Sequence, residues 1–557
     1  MIHSRFLSLL VLSLFACACF TLRADAQAPS APPAGTALAV PTFHCIGLYW
    51  SPPDGAAERA VQVRYRVKGS AAWSEGLPMR YNPIAGTEED LTDYRGSIVR
   101  LQPGTTYEVA LKLDGSTTTT TLTASTWRED FPVGEVTRVP GGSQTLAITE
   151  SGKPDDWLVY DGGGATIDVG HKQNACITVN ASHVILRNFV LKGAGAADNL
   201  EDKPIGAVDV QSGHDIVIEG CDISGWGRLN PKTGYGFNHD SAVLGASSGL
   251  ARVVVQRCRL HHPAVDANTW REPGPKTHPR GTHAVAFFNT DGNHVVRYNE
   301  CVTDAGHMFH DVIGGGTNGS FRGAPGADSD IYGNIATHAW DDGMEVEGSG
   351  RNVRVWDNYI SGATNLIANA AVSIGPLYVW GNVAGRCQLT PDLPGYGFMK
   401  MGSSGGAKWQ TGHQYIFHNT IFAEEGWLPA GGLGGSRLVT HTTSRNNIFH
   451  IRSENGGSIS DNPGNIGNDF DYDLCNGKVP AKHEAHGVRG APVYADGAGF
   501  DAQTSSGRFQ LAPGSPGIEA AQTIPNFTPP FTGKAPDIGA HQRGEPPLVY
   551  GLKAGVR

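Results

Sequence analysis

The sequence predicts an all-β chain in which a small β-sandwich precedes a long solenoid of short strands. Three observations carry this. Charged residues make up only 17% of the 557, too few for a coiled coil or a long solvated helix. Gly numbers 74, roughly twice the usual share of about 7%, and with 34 Pro it punctuates the chain often. From Gly141 onward one short phrase of β-branched residues keeps returning. A hydrophobic content of 39% supports a large core, and the length accommodates a repeat array plus a small domain. The formal net charge of −10 argues against a nucleic-acid binder, which needs a basic face.

The first element is a targeting segment. His3 and Arg5 precede an apolar run from Phe6 to Phe20, and Ala24-Asp25-Ala26 is a small-x-small cleavage site. Residues 1–26 therefore read as a signal peptide, and the mature chain as secreted or periplasmic. Leu14-Phe15-Ala16-Cys17 gives a weaker, lipoprotein-anchored alternative, which the bulky Phe15 fits poorly. No stretch is long enough and apolar enough to span a membrane. Cleavage removes Cys17 and Cys19 and leaves seven of nine cysteines, an odd and scattered set that makes no disulfide framework. With no Cys-x-x-Cys pair, no structural zinc site is expected.

Residues 27–36 are rich in Pro and Ala and read as a linker. In 37–130 short strands alternate: Val61, Val63, Tyr65 and Val67 share one buried face of a strand. Trp50 on an early strand, with Leu101, Pro103, Gly104, Thr105 and Tyr107, resembles the buried Trp and tyrosine corner of a fibronectin type III domain. Such a module beside an enzyme is expected to be a spacer.

Residues 140–545 carry the repeat. An Asn or Cys follows a short strand at Asn188, Cys221, Cys258, Asn299, Asn334, Asn358, Asn382, Asn419 and Asn447. The two shortest gaps, Asn334 to Asn358 and Asn358 to Asn382, are equal and give the bare period, and longer gaps carry loops. Asn tolerates the left-handed conformation of a sharp turn, and stacked Asn side chains can hydrogen-bond along the axis. This resembles the asparagine ladder of the pectate-lyase-like superfamily, which implies a right-handed parallel β-helix. Cys221 and Cys258 read as structural members of the same column. The segments 511–519 and 533–542 resemble the C-terminal end of such proteins.

The chemistry concentrates at 338–347. In "GMEVEG" the period of two puts Met344 and Val346 inside and Glu345 and Glu347 outside. Asp341 and Asp342 feed that strand, and His338 precedes them. The preceding coil holds His307, His310 and Asp311, then a polar insertion with Arg322 that could fold over a cleft. Counting one bare period from Glu345 places Asn369 at its level, and Lys400 one coil further, roughly 10 Å along the cleft. Arg351 and Arg354 follow the Glu pair. Asn289-Thr290-Asp291-Gly292 reads as a turn.

Two enzyme mechanisms fit. In a polysaccharide lyase, Glu345, Glu347 and Asp342 hold Ca²⁺ against a uronate, Lys400 abstracts the acidified proton, and His310 or His338 is the acid. His307, Arg322, Arg351 and Asn369 then bind the substrate. The layout is similar to the chondroitinase B and alginate lyase family, where an outward Glu-x-Glu binds calcium. In a glycoside hydrolase, Glu345 pairs with Asp341 or Asp342 at about 6–7 Å. A glycan-binding adhesin is the third reading. The sequence favours the lyase, acting on a polysaccharide as a monomer.

Overall fold

The computed structural model describes residues 35–556 apart from 88–90, 275–276, 317, 371, 388, 391–392, 394, 403–408, 424–425 and 436–437. The segment read as a signal peptide, and all but the end of the linker, lie outside the described residues.

Two antiparallel sheets come first. Ala37–Pro41, Ile46–Trp50 and Tyr94–Ile98 form one; Ser74–Glu75, Val61–Val67, Thr106–Leu113 and Thr120–Ser125 form the other. Their facing residues, among them Leu48, Trp50, Val61, Val63, Val109 and Leu111, make one apolar core. The Tyr107 hydroxyl accepts a hydrogen bond from the Gln102 amide at 2.8 Å. These strands are not held away from the rest. Tyr49 donates to Asp328 at 2.6 Å, and Arg95 donates to the carbonyls of Ile374 and Gly375.

Parallel pairing begins at Val133–Arg138 and then repeats coil by coil. Among the described residues one sheet has 12 strands and a second has 19. The larger sheet wraps two faces of each coil, because Ile335–Glu345 and Tyr359–Asn369 run unbroken around the corner. Stacked parallel strands wound this way form a parallel β-helix, right-handed as crossovers between parallel strands are. Val, Ile and Leu side chains from successive coils fill its interior, with Met344, Val346, Cys221 and Cys258 among them. Burial pushes the Cys258 thiol well above its ordinary value, so it packs rather than reacts. No helix among the described residues is long and apolar enough to cross a membrane.

The ladder runs from Asn299 through Asn334, Asn358, Asn382 and Asn419 to Asn447. Each side-chain amide donates to the next Asn carbonyl at 2.9–3.0 Å, and the last donates to Asp473 at 2.8 Å. The sharp turn, however, is made by the residue before. Gly220, Arg257, Tyr298, Gly333, Asp357, Gly381, His418 and Asn446 all have φ between 51° and 67°. Asn188, at φ 58°, belongs to this turning column, and Phe189 takes the ladder position in its coil. A buried amide serves the ladder because it satisfies the backbone N–H of the coil before it.

Candidate active site

The third face of the coils contains the strands Ser241–Gly245, His283–Phe287, Ile313–Gly314, the ends of Ile335–Glu345 and Tyr359–Asn369, and Gly397–Met401. Parallel pairing lines up one polar column across it. Ser241 pairs with His283; Val285 pairs with Ile313, which brings Asp311 level with His283; Asp342 pairs with Asn365.

A β-bulge makes the centre. The register of Ile335–Glu345 against Tyr359–Asn369 shifts between Ala339 and Asp342. A bulge re-aims side chains, and here two consecutive acids, Asp341 and Asp342, both turn into one buried cluster. Lys400, 26% exposed, reaches back to close it: its Nζ lies 2.5 Å from Asp342 Oδ2 and 3.2 Å from Glu347 Oε1. Asn365 donates to Asp342 at 2.9 Å, the Ala370 amide donates to Glu347 at 3.1 Å, and the Gly315 amide donates to Glu345 at 3.2 Å. A Cβ on Gly314 would sit 2.8 Å from that of Glu345, so the glycine makes room for the acid.

The electrostatics follow from crowding. Burial, then neighbouring acids, pushes Asp342 and Glu345 well above the usual carboxylate range, and Asp341 rises to about 6 for the same first reason. Asp311 goes the other way: burial opposes its charge, but facing His310 and His283 hold it ionised. Burial also opposes the Lys400 charge, yet Asp342, Glu347, Asp341 and Glu345 together hold it as an ammonium. His310 is pushed down to about 4, chiefly by burial; its Nε2 stands 3.8 Å from Asp341.

The expected residues separate cleanly. Asp341, Asp342, Glu345, Glu347, Lys400 and His310 come together. Lys400 bridges the two coils with its side chain rather than standing apart from the acids along the cleft. Asn369 does not sit at the level of Glu345, because the bulge shortens the offset by one and Ala368 pairs with Glu345 instead. A one-residue slip turns a side chain to the opposite face; Asn369 is fully buried and donates to Gln414. Arg351 and Arg354 lie around the next corner, past Gly348 and Gly350 (φ 93° and 58°). There Arg354 pairs with Asp330 at 2.5 Å beneath the sandwich, and Arg351 lies near the buried Asp328. Arg322 is tied to Asp291 at 2.8 Å and to the carbonyls of Asn289 and Thr290. His307 bonds the Pro263 carbonyl at 2.7 Å, and His338, at φ 66°, makes the corner before the bulge. Neither reaches the acids.

Sequence reasoning missed His239, His278 and His283. His278 Nε2 stands 3.3 Å from Asp341 at the rim, and His283 Nε2 3.4 Å from Asp311. A signal existed: Ser241, His283, Asp342 and Asn365 stand at a nearly constant interval before the ladder positions Cys258, Asn299, Asn358 and Asn382. A cleft of about 570 Å³ opens beside Lys400, lined by Trp270, His278, Asn365, Tyr396 and Met399, with Gly431, Gly432, Gly434 and Gly457 along its floor.

The carboxylates fit a hard cation. One oxygen from each of Asp342, Glu345 and Glu347 lies within 4.8 Å of the others, as for Asp311, Asp341 and Asp342. Asp341 Oδ1 and Glu347 Oε2 are buried without a hydrogen-bond partner among the described residues. Oxygen donors of this kind suit Ca²⁺.

No family model matches the chain, and no curated protein matches it. Among solved structures it is similar to the crystal structure of pectate lyase Pel9A, with 13% identity and a TM-score of 0.39 over 74% of this chain and 86% of that one. Pectate lyase PelI from Erwinia chrysanthemi gives 10% and 0.16 over 74% and 85%. The Agl-KA catalytic domain gives 12% and 0.29 over 82% and 90%. The chain has a parallel β-helix fold, on the evidence of its sheets and its ladder.

Proposed function

We propose that the protein is a polysaccharide-degrading enzyme, and that it cleaves a uronic-acid-containing chain by β-elimination. One observation carries this reading: a single lysine amine, Lys400, closes a buried carboxylate cluster at the end of an open cleft. Asp342, Glu345 and Glu347, with Asp341 beside them, would hold Ca²⁺. When bound, the ion supplies positive charge against the substrate carboxylate, which acidifies the adjacent C–H.

The chain's own residues do the rest. The glycine floor leaves space for a sugar ring to lie flush, and Trp270 and Tyr396 offer aromatic faces beside it. Lys400 takes the proton as the free amine. The acids oppose this by holding the ammonium, and the pull weakens as their charge is neutralised. His310, kept neutral by burial, and the rim His278 are placed to move the proton on to the leaving oxygen or solvent.

The hydrolase reading retains one supporting observation, the Asp341 carboxyl at about 6, a general acid near neutral pH. Ultraviolet absorbance of unsaturated uronate ends, screened over uronic-acid polysaccharides with and without chelator, separates the two. Absorbance that a chelator abolishes and Glu345→Ala removes establishes elimination. New reducing ends without absorbance establish hydrolysis, and silence on every glycan overturns the enzymatic reading.

A further inference from the structure

Beside the oxygen cluster the same face carries a nitrogen cluster, of which the proposed reaction uses His310 alone. His239, His283 and His310 come from three successive coils and lie far apart in the sequence, so no local motif announces them. A ring nitrogen of each lies within 4.8 Å of the other two, and the ring centroids are 4.8, 5.1 and 5.9 Å apart. His283 Nε2 stands 3.2 Å from His310 Nδ1 and 3.4 Å from Asp311 Oδ2, and His310 Nδ1 stands 3.6 Å from the same oxygen.

Those three distances make a triangle of two nitrogens and one carboxylate oxygen. A tetrahedral zinc ion with bonds of about 2.0–2.1 Å sets its ligands about 3.3 Å apart. The edge between His283 Nε2 and His310 Nδ1 is also a hydrogen-bond distance, so the site rests on the whole triangle that the Asp311 oxygen closes and not on that pair alone. Asn238 holds His239 Nε2 at 2.8 Å, which leaves His239 Nδ1 buried without a hydrogen-bond partner among the described residues, and His283 and His310 are more than nine-tenths buried. Gly316 completes the pocket: a Cβ there would lie 2.5 Å from His239 Nε2.

We infer that His239, His283, His310 and the Asp311 carboxylate form a second metal site, one that takes Zn²⁺ or a similar borderline divalent ion. Imidazole donors select such metals, whereas carboxylate sets select Ca²⁺. His310 then binds through Nδ1 and turns Nε2 toward Asp341 at 3.8 Å, the carboxylate support that metal-bound histidines commonly have. Asp311 is the link between the two sites, because its other oxygen accepts from the Asp342 amide at 2.9 Å.

The test needs no substrate, so it stands or falls separately from the lyase reading. The full chain is stripped with a chelator, given Zn²⁺, passed through gel filtration and assayed for metal. One equivalent is retained and survives excess Ca²⁺. In His239→Gln the zinc dissociation constant rises by more than the roughly 10–100-fold that loss of a supporting residue costs. X-ray absorption of the zinc-loaded wild-type chain, which requires no variant to fold, shows nitrogen and oxygen at about 2.0–2.1 Å with outer-shell scattering from imidazole rings. Zinc that is not retained, that calcium displaces, or that shows no imidazole scattering overturns the site.

Discussion

At Lys400 burial and neighbouring charge compete, and the carboxylates win: the amine is held as an ammonium by Asp342 and Glu347. A base must be deprotonated, so elimination is expected to rise with pH from neutral into the alkaline range. Lys400→Ala should lower the rate by roughly 10²–10⁴-fold, the usual worth of a positioned base. Lys400→Arg decides the role, because Arg keeps the charge and never gives up its proton. If the rate of Lys400→Arg matches Lys400→Ala, Lys400 is the base; if Arg restores the rate, it only balances charge. A second buried pair lies at the end of the ladder. Asp473 accepts from the Asn447 backbone and side chain at 2.7 and 2.8 Å, and its own amide donates to Glu484 at 3.0 Å. Burial first, then the facing acid, raises Glu484 to about 10, and burial raises Asp473 to about 6. Acids with raised folded values bind more protons folded than unfolded, so their contribution is greatest below about pH 4 and is lost as pH rises. Glu484→Gln should therefore flatten the fall in stability between pH 5 and 8 and gain on the order of 2 kcal/mol at pH 8; urea melts at several pH values check this. The acids were legible because they crowd one short stretch of a weakly charged chain, and Lys400 because counting coils from Glu345 led to it. The three unforeseen histidines were not, because each comes from a different coil or loop and only strand pairing brings them near.

Among the elements, the ladder shows what periodicity reveals and what it hides. The column of Asn was readable at 299, 334, 358, 382, 419 and 447, since those residues repeat in one local phrase. The turning residue was misassigned by one position, because Asn suits both a left-handed turn and a buried amide stack. Asn358 shows why the second use dominates: it donates to Ile331 O and Asn382 Oδ1 and accepts from the Asn334 backbone and side chain, all at 3.0 Å. Asn358→Ala leaves buried donors and acceptors on both neighbouring coils unsatisfied, so it should cost about 2–4 kcal/mol, whereas Asp357→Asn, at the adjacent turn, should cost far less. Chemical denaturation of the two variants compares them directly. The bulge between Ala339 and Asp342 is the complementary case. Its extra residue sets Asp341 beside Asp342 and also breaks the count from Glu345 to Asn369, so the feature that builds the site defeats the arithmetic meant to find it.

For the whole molecule, the unexpected relation is between the sandwich and the helix. A spacer would stand clear, but here the sandwich covers a buried polar and aromatic seam. Arg354, fully buried, pairs with Asp330, donates to the Asp328 carbonyl at 2.8 Å and reaches Ser97 of the sandwich at 3.2 Å. Around it Tyr332, Trp356 and Trp380 stack at 4.0 and 5.4 Å, with Phe43 of the sandwich in the same apolar cluster. Removing one partner of a buried ion pair leaves the other uncompensated, so Arg354→Ala should cost about 3–5 kcal/mol. The double variant Arg354→Met with Asp330→Leu removes both charges and should recover much of that loss, because the pair itself is worth little once neither charge is buried. Deleting residues 35–126 is the more direct comparison. It would expose the stacked aromatics and the Asp328, Asp330 and Arg354 cluster, so the shortened chain should aggregate or melt at a lower temperature than the full one. A shortened chain that stays monomeric and melts at the full chain's temperature would return the sandwich to the role of a spacer.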